Sequence, residues 1–575
     1  MGRKSSRLFL VSILALLAIV SASCTPAIPS PEGSTKGTPD LIRGGKAIML
    51  IAEEPPSLNL YLTETGTVTQ IADASIDGLV KIGPDGNYFP ALVIELPSQE
   101  NGGVSKDLLT ITWKIKPGLK WSDGKPVTSD DIKFTWEAVS APNSGALQTG
   151  GFDLIDKIDT PDAQTAIVHY KKFYVGYLGQ FRWGIFPRHA TGKADEMTKW
   201  DWNRKPVTTG PFVVSEWRTG DRIIMKANPY YRENGKPYLD ELEFQIVPDY
   251  QSQLAMMKNG EAHGQRWPSE TKADYDKFMA GHAQEYVVPG LWNMELNFNL
   301  SMPFDNEPGP LPPHPILGDL RVRQAIAYGI DYEYIIKDVM HGEVSPSYSP
   351  FEYGWYKCDM ERPYPTDKNK AIALLDEAGW KDTNGDGIRE CEGCKYADKG
   401  SRMRLQLLGY NYDDDLQRTE EAIVEQMKAI GIEVYIQNED FSVIFGGWSD
   451  HAPRKTGDFD MQIYDGLVET EPQDTIISQW RSDQIPNAQK PDGRNYFRWV
   501  DSKADAYIDA AGISPDLNIR KDAYCKLAKE MSQQLPVMYL YLLKDSTAYS
   551  NKLHGFQVST WGSLTWDAAN WWIEH

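Results

Sequence analysis

With 575 residues, 41% of them hydrophobic and 24% charged, the chain is too long for one ordinary domain and has apolar content for several cores. Lys and Arg number 59 against 80 Asp and Glu, and the resulting charge of -21 repels phosphate backbones and anionic headgroups, which excludes a nucleic-acid partner.

The chain opens on MGRKSSR and continues as LFLVSILALLAIVSAS, an apolar run shorter than the roughly 20 residues a membrane-spanning helix needs. That pattern predicts a signal peptide over residues 1–23. Ser21, Ala22 and Ser23 before Cys24 resemble the lipobox of bacterial lipoproteins, which implies that Cys24 is lipidated and becomes the first mature residue. Residues 24–43, rich in Pro, Ser, Thr and Gly, cannot bury enough apolar surface to order themselves and read as a flexible tether. Anchor and tether together would hold an acidic body outside the cytoplasmic membrane, in a periplasm or on the outer face.

From residue 44 onward strand and helix signals alternate. TITWKIKPGLKW (110–121) has period two and is expected to turn at Pro117 and Gly118, and GPFVVSEWRTGDRIIMKANPYY (210–231) to turn at Thr219, Gly220 and Asp221. EPGPLPPHP (307–315) excludes regular structure and reads as a connection between lobes. Asp367 is placed to cap a helix with Ala371, Leu374, Leu375 and Ala378 at helical spacing. MRLQLLGY then predicts a strand, Leu416 to Ile430 an amphipathic helix stopped by Gly431, and IEVYIQ a second strand. Strand, helix and strand at these lengths imply a parallel pair and an α/β layer.

KDTNGDGIRECEGC (381–394) looks like chemistry. Asp382, Asn384 and Asp386 followed by Gly387 match the first half of a calcium loop. The bidentate Glu of the second half is replaced by Gly393, so the Ile388 carbonyl with Glu390 or Glu392 would have to close the shell. The expectation is a structural calcium site or a plain polar turn, with no cofactor required for function. Cys391 and Cys394 lack the second ligand pair a zinc site needs. Beyond Cys24, the cysteines Cys358, Cys391, Cys394 and Cys525 can pair in three ways. The local Cys391–Cys394 bond is preferred, with Cys525 left as a buried thiol on a helix over 516–534.

Four stretches are similar to the family 5 extracellular solute-binding proteins, the dipeptide- and oligopeptide-binding components of bacterial ABC importers. WKIKPGLKWSDGKPVTSDDIKFTWEAV carries Trp121, Asp123, Gly124, Asp130 and Asp131; TTGPFVVSEW with NPYYRENGKPYLDELEFQIVPD carries Gly210, Pro211, Asn228, Pro229, Tyr231, Pro237 and Asp240. LGDLRVRQAIAYGID (317–331) and LPVMYLYLL (535–543) follow in the family's order. The resemblance implies an α/β fold with mixed sheets, a two-lobed clamp of the periplasmic-binding-protein type with an extra domain and a ligand cleft between the lobes. Its expected parts are domain I over 44–75, 206–290 and 545–575, domain II over 76–205 and domain III over 291–544.

By the same resemblance FDMQIYDGLVETEP (459–472) carries the acid that holds a peptide's α-ammonium, with Glu469 in place of the usual Asp. The Arg and Trp that oligopeptide binders often place just before it are Ile463 and Gly466 here, so no clamp for the far carboxylate is visible. With 18 Trp and 29 Tyr the chain also suits an oligosaccharide, and Trp292, Asn293, Tyr410, Asn411 and Trp448 are the candidate ring and amide contacts. The implied function is a monomeric, lipid-anchored receptor that delivers peptide, or alternatively oligosaccharide, to a permease and its ATPase. A sensory role and a secreted hydrolase are the remaining alternatives. The chain has no GxSxG elbow, HExxH helix or phosphate-cradling Gly loop, and no enzyme is expected.

Overall fold

The computed structural model describes residues 41–575 except 64, 267, 269–270, 303–310, 411–413, 468 and 575. The signal peptide, Cys24 and most of the tether lie outside the described residues. Among those described, no helix is long and apolar enough to cross a membrane.

The elements that position the site are, in chain order, β1 (Lys46–Ile51), β2 (Thr110–Lys114), α1 (Ser129–Val139), β3 (Ile155–Asp162), β4 (Thr165–Tyr170), β5 (Phe212–Arg218), β6 (Arg222–Ala227), β7 (Glu241–Ile246), β8 (Gly264–Arg266), β9 (Ala283–Phe298), α2 (Lys368–Glu377), β10 (Arg404–Tyr410), α3 (Asp414–Lys428), β11 (Glu433–Glu439), β12 (Met461–Leu467), α4 (Gln473–Trp480), α5 (Ser502–Gly512), α6 (Leu517–Gln534) and β13 (Val537–Ser550). An eleven-stranded mixed sheet runs in the order β11-β10-β12-β9-β13-β8-β1-β7-β6-β5, with Ser345–Pro346 added beside β13. Its two halves belong to two lobes. β1, β5, β6, β7 and β8 pack on Met49, Phe212, Phe244 and Trp571 in one lobe, whereas β9, β10 and β12 cover Leu296, Ile326, Leu407 and Ile463 in the other.

Among the described residues only β9 and β13 pass from one half to the other. Their antiparallel register breaks between Pro289, opposite Lys544, and Asn293, opposite Leu542. The bulge bends the pair at that point. Gly290 sits inside it, where a Cβ would lie 2.7 Å from the Leu543 carbonyl oxygen.

The smaller sheet, β2-β4-β3, packs against α1 around Trp113, Trp121, Ile132 and Phe134. The Asp131 carboxylate ties this unit together, accepting from Trp121 Nε1 at 3.2 Å, Thr128 N at 2.9 Å and Arg188 N at 3.0 Å. β2 therefore pairs with β4 and not with the residues just after Pro117 and Gly118, which make only a bridge from Lys120 to Pro126. The expected turn at Pro117 and Gly118 is present, but no strand pair closes across it, whereas the one at Thr219, Gly220 and Asp221 joins β5 to β6.

The 367–437 unit has the expected parallel pair, β10 with β11. Asp367 caps α2 by accepting from Lys370 N, and Gly431 takes a positive φ of 89° after α3. The described residues of the proline-rich run, 311–315, do not join the lobes. They lead from β9 to the helix Leu320–Gly329 inside one lobe, with Pro313 bridged to Ser301.

Among the described residues two disulfides are present, Cys391–Cys394 and Cys358–Cys525. Cys525 is thus not a free thiol: α6 carries it against the 351–358 loop, where Phe351 and Tyr356 pack on Tyr524. The Cys358–Cys525 bond spans 167 residues, against 3 for the other. Loss of unfolded-chain entropy then stabilises by about 5 kcal/mol for the long loop and about 1–2 kcal/mol for the short one. The double substitution C358S/C525S is expected to lower the urea midpoint several times more than C391S/C394S, and equal shifts would contradict this.

Candidate functional site

A small, partly open cavity lies where β9, β12 and β13 meet α4 and the 350–356 loop. Its floor is the face of β9 that carries Asn293 and Glu295, while Met294 and Leu296 point into the core behind. Glu295 lies opposite Tyr464 on β12 and Tyr539 on β13, and Asn293 lies opposite Gly466. The Glu295 carboxyl occupies the space above Gly466, where any Cβ would come within 2.4 Å of its Oε1. Only glycine leaves that room.

Burial, reinforced by the nearby Asp465 charge, pushes the Glu295 carboxyl up to about 8. It is therefore mostly protonated at neutral pH.

The rim is the loop from Glu469 to Gln473. The Tyr356 hydroxyl donates to the Glu469 carbonyl, and Trp355 Nε1 donates to the Thr470 carbonyl at 3.1 Å. Arg520 on α6 grips both carboxylate oxygens of Glu471, with Nη1 to Oε2 at 2.9 Å, and stacks over the Trp355 ring at 4.6 Å. The Tyr524 hydroxyl accepts from Arg520 at 2.9 Å and donates to Gln473 Oε1 at 2.7 Å. This fastening holds Glu469 at the cavity wall. Burial raises its carboxyl, and a hydrogen bond from Thr475 and the charge of Arg182 pull it back.

Arg182, stacked on Trp183 at 3.6 Å, and Tyr174 belong to the opposite lobe. The Tyr174 hydroxyl donates to Asp474 Oδ2 at 3.3 Å, so the lobes touch directly beside the rim.

Of the sequence-predicted ligand contacts, Glu469 and Asn293 line the cavity. Tyr410 does not, because it is buried and its hydroxyl donates to Asp465 Oδ1 at 2.6 Å. Trp292 is 45% exposed at the bulge of β9, turned away from the Asn293 face by the alternation of the strand. Trp448 sits in the half-exposed turn after Phe441–Ile444 and is not part of the lining either. Asn411 lies outside the described residues. Glu295, Tyr356 and Tyr539 were not anticipated. The signal for Glu295 was the alternation of Asn293, Glu295 and Asn297 with Met294, Leu296 and Phe298.

The 381–394 loop spends its oxygens internally. Asp382 accepts from Gly385 N and Gly387 N at 2.7 and 3.0 Å, and Asp386 from Ile388 N and Arg402 Nη1 at 2.9 and 2.6 Å. Glu390 accepts from Thr383 Oγ1 at 2.8 Å and from Asn384 Nδ2 at 3.0 Å, while Glu392 pairs with Lys399 at 3.1 Å. Among the described residues no three His, Cys, Asp or Glu side chains are grouped to hold a metal ion. The Arg402 cation serves Asp386 and Glu433 at once. Addition of EDTA or of calcium is accordingly expected to leave the melting temperature unmoved, and a calcium-dependent rise would return these residues to a ligand set.

Residues 97–488 match the family model described as bacterial extracellular solute-binding proteins, family 5 middle. The oligopeptide-binding protein AppA of Bacillus subtilis (strain 168) is 27% identical over the whole of both chains, and protein XP55 of Streptomyces lividans is 25% identical over 90% of this chain and 86% of its own. Among solved structures, AppA of Bacillus subtilis in complex with a nonapeptide has a TM-score of 0.64 at 23% identity, covering 93% of this chain and 100% of its own. The substrate-binding protein CtaP of Listeria monocytogenes has a TM-score of 0.74 at 22% identity, covering 92% and 99%.

Proposed function

The chain belongs to the bacterial extracellular solute-binding proteins of family 5, and from that membership we propose that it captures peptides between its lobes and hands them unaltered to the permease and ATPase of an importer. The observation that carries this reading is Glu469: a carboxylate held on a fastened loop at the wall of a cavity in the β9, β12 and β13 lobe, within reach of the Arg182 charge of the opposite lobe and beside the lobe contact of Tyr174 with Asp474. A ligand α-ammonium there would replace water with a charge-assisted hydrogen bond in a drier space. Contacts made to both lobes at once favour the closed arrangement, and the bend at residues 289–293 of β9 is where the lobes would rotate. Likeness over the full chain length to an oligopeptide-binding protein supports peptide as the solute.

Attachment through a lipidated Cys24 completes the reading; C24S is expected to release the protein from the membrane. The main test is a calorimetric and thermal-shift screen with short peptides and β-linked sugars, because a ligand of the folded state raises the melting temperature by mass action. Peptides are expected to bind, and E469Q to weaken peptides with a free N-terminus about tenfold to a hundredfold while sparing N-acetylated ones. Sugar binding with no response to any peptide would replace peptide by oligosaccharide.

A further inference from the structure

The floor of the cavity offers more than the rim needs. Asn293 is 1% exposed and spends its Nδ2 on the Ser349 carbonyl at 3.1 Å, which fixes the amide and leaves Oδ1 facing inward with no partner. The Tyr539 hydroxyl, on a side chain 7% exposed, is also unpartnered. Beside them lies the Glu295 carboxyl, over Gly466. Two carboxyl groups and no Lys or Arg line the space, and Pro350, Leu467 and Ile476 supply apolar wall. A buried acceptor without a donor is costly unless a ligand brings one. The donor that suits a carboxyl, an amide oxygen and a phenol together is a group with several N–H bonds and a positive charge, carried on an apolar stem.

Resting on the peptide reading, we propose that this cavity is a subsite for a basic side chain of the ligand, with Glu295 as its counter-ion and Asn293 Oδ1 and the Tyr539 hydroxyl as its further hydrogen-bond partners. The groups that face Glu295 are Asp465, Asn297, Tyr464 and Tyr539, with Glu352 and Arg454 behind the two tyrosines and Glu469 across the cavity. None of them puts a cation against Glu295, so in the empty site it holds its proton. On binding, the Glu295 O–H bond breaks, the proton leaves to buffer, and the carboxylate formed pairs with the incoming ammonium or guanidinium. The charge of the site is unchanged by the exchange of H+ for the ligand cation.

The test is calorimetry at pH 7 on the full-length protein with a lysine-containing peptide and the same peptide carrying norleucine, each in phosphate and in Tris. The lysine peptide is expected to bind about tenfold to a hundredfold more tightly. It should release close to one proton, read as the difference in heat between the buffers, and the norleucine peptide should release none. E295Q, which keeps the shape of the neutral acid, is expected to bring the two peptides within about twofold of each other and to abolish the proton release. Equal affinity of the wild type for both peptides, or release that survives E295Q, would overturn the subsite and leave the peptide reading standing. Failure of both peptides to bind would overturn both.

Discussion

Replacing Arg520 by methionine is expected to lower stability by about 3–5 kcal/mol at neutral pH, because it strands Glu471 inside the lobe. The Arg520 side chain is 2% exposed and that of Glu471 17%, so water can solvate little of the remaining carboxylate. The guanidinium also donates to Tyr524 and lies over the Trp355 and Tyr524 rings, so methionine loses one ion pair, one hydrogen bond and two ring contacts together. R520K should recover only part of the loss, since an ammonium cannot reach both oxygens of Glu471 and the Tyr524 hydroxyl from one fixed fork. The pair R520M/E471L should recover most of it, as apolar replacement of a whole buried pair is often neutral. Urea midpoints for the three variants decide the matter, and a midpoint unmoved in R520M would mean that Glu471 is fully hydrated. Peptide binding should fall along with stability, because the Glu471 anchor holds the loop that carries Glu469.

Most of the residues through which the family was legible in the sequence hold the scaffold, and of those stretches only LPVMYLYLL, through Tyr539, and FDMQIYDGLVETEP, through Gly466, Leu467 and Glu469, reach the cavity among the described residues. Asp131 gathers Trp121, Thr128 and Arg188, and Asn228 donates to the Gly210 carbonyl at 2.8 Å. Arg323 in the LGDLRVRQAIAYGID stretch ties Leu320–Gly329 to the end of α6 through the Gln534 carbonyl at 2.6 Å. Each of these residues satisfies backbone groups that this fold buries. The α2-β10-α3-β11 unit was legible for a different reason: its periodicities are long and its caps, Asp367 and Gly431, are local.

The cavity was less legible because its walls come from segments distant in sequence and because a buried polar strand face looks like a solvated one. Asn293, Glu295 and Asn297 alternate with core residues as the outer face of an antiparallel strand would. The layer of α4, α5 and α6 that covers this face is built from residues up to 534, and nothing local in β9 announces it. Trp292 and Trp448 were drawn in by composition, yet a tryptophan count says nothing about which rings face a cleft. The cysteine pairing was open for the same reason, since a 167-residue separation carries no local signal.

Between pH 5 and pH 8 the wild type is expected to lose about 4 kcal/mol more stability than E295Q. The folded-state value of Glu295, about 8, lies above the ordinary carboxyl value of 4.5, with burial as the first cause and the Asp465 charge as the second. In that window the unfolded chain has released the proton and the folded chain retains it. Stability from this group is therefore full below about pH 4.5 and falls by about 1.4 kcal/mol per pH unit until the folded form ionises near pH 8. Glutamine cannot titrate and removes the slope, so the two proteins should converge at low pH and diverge at high pH. Superimposable stability profiles would mean that the carboxyl is solvated in the folded state. A basic ligand seated against Glu295 favours the ionised form, so saturation with such a ligand should flatten the wild-type profile toward that of E295Q, whereas saturation with an uncharged analogue should leave the slope in place. The same titration thus separates burial of the carboxyl, which the fold alone imposes, from its use as a counter-ion, which requires a cation to arrive.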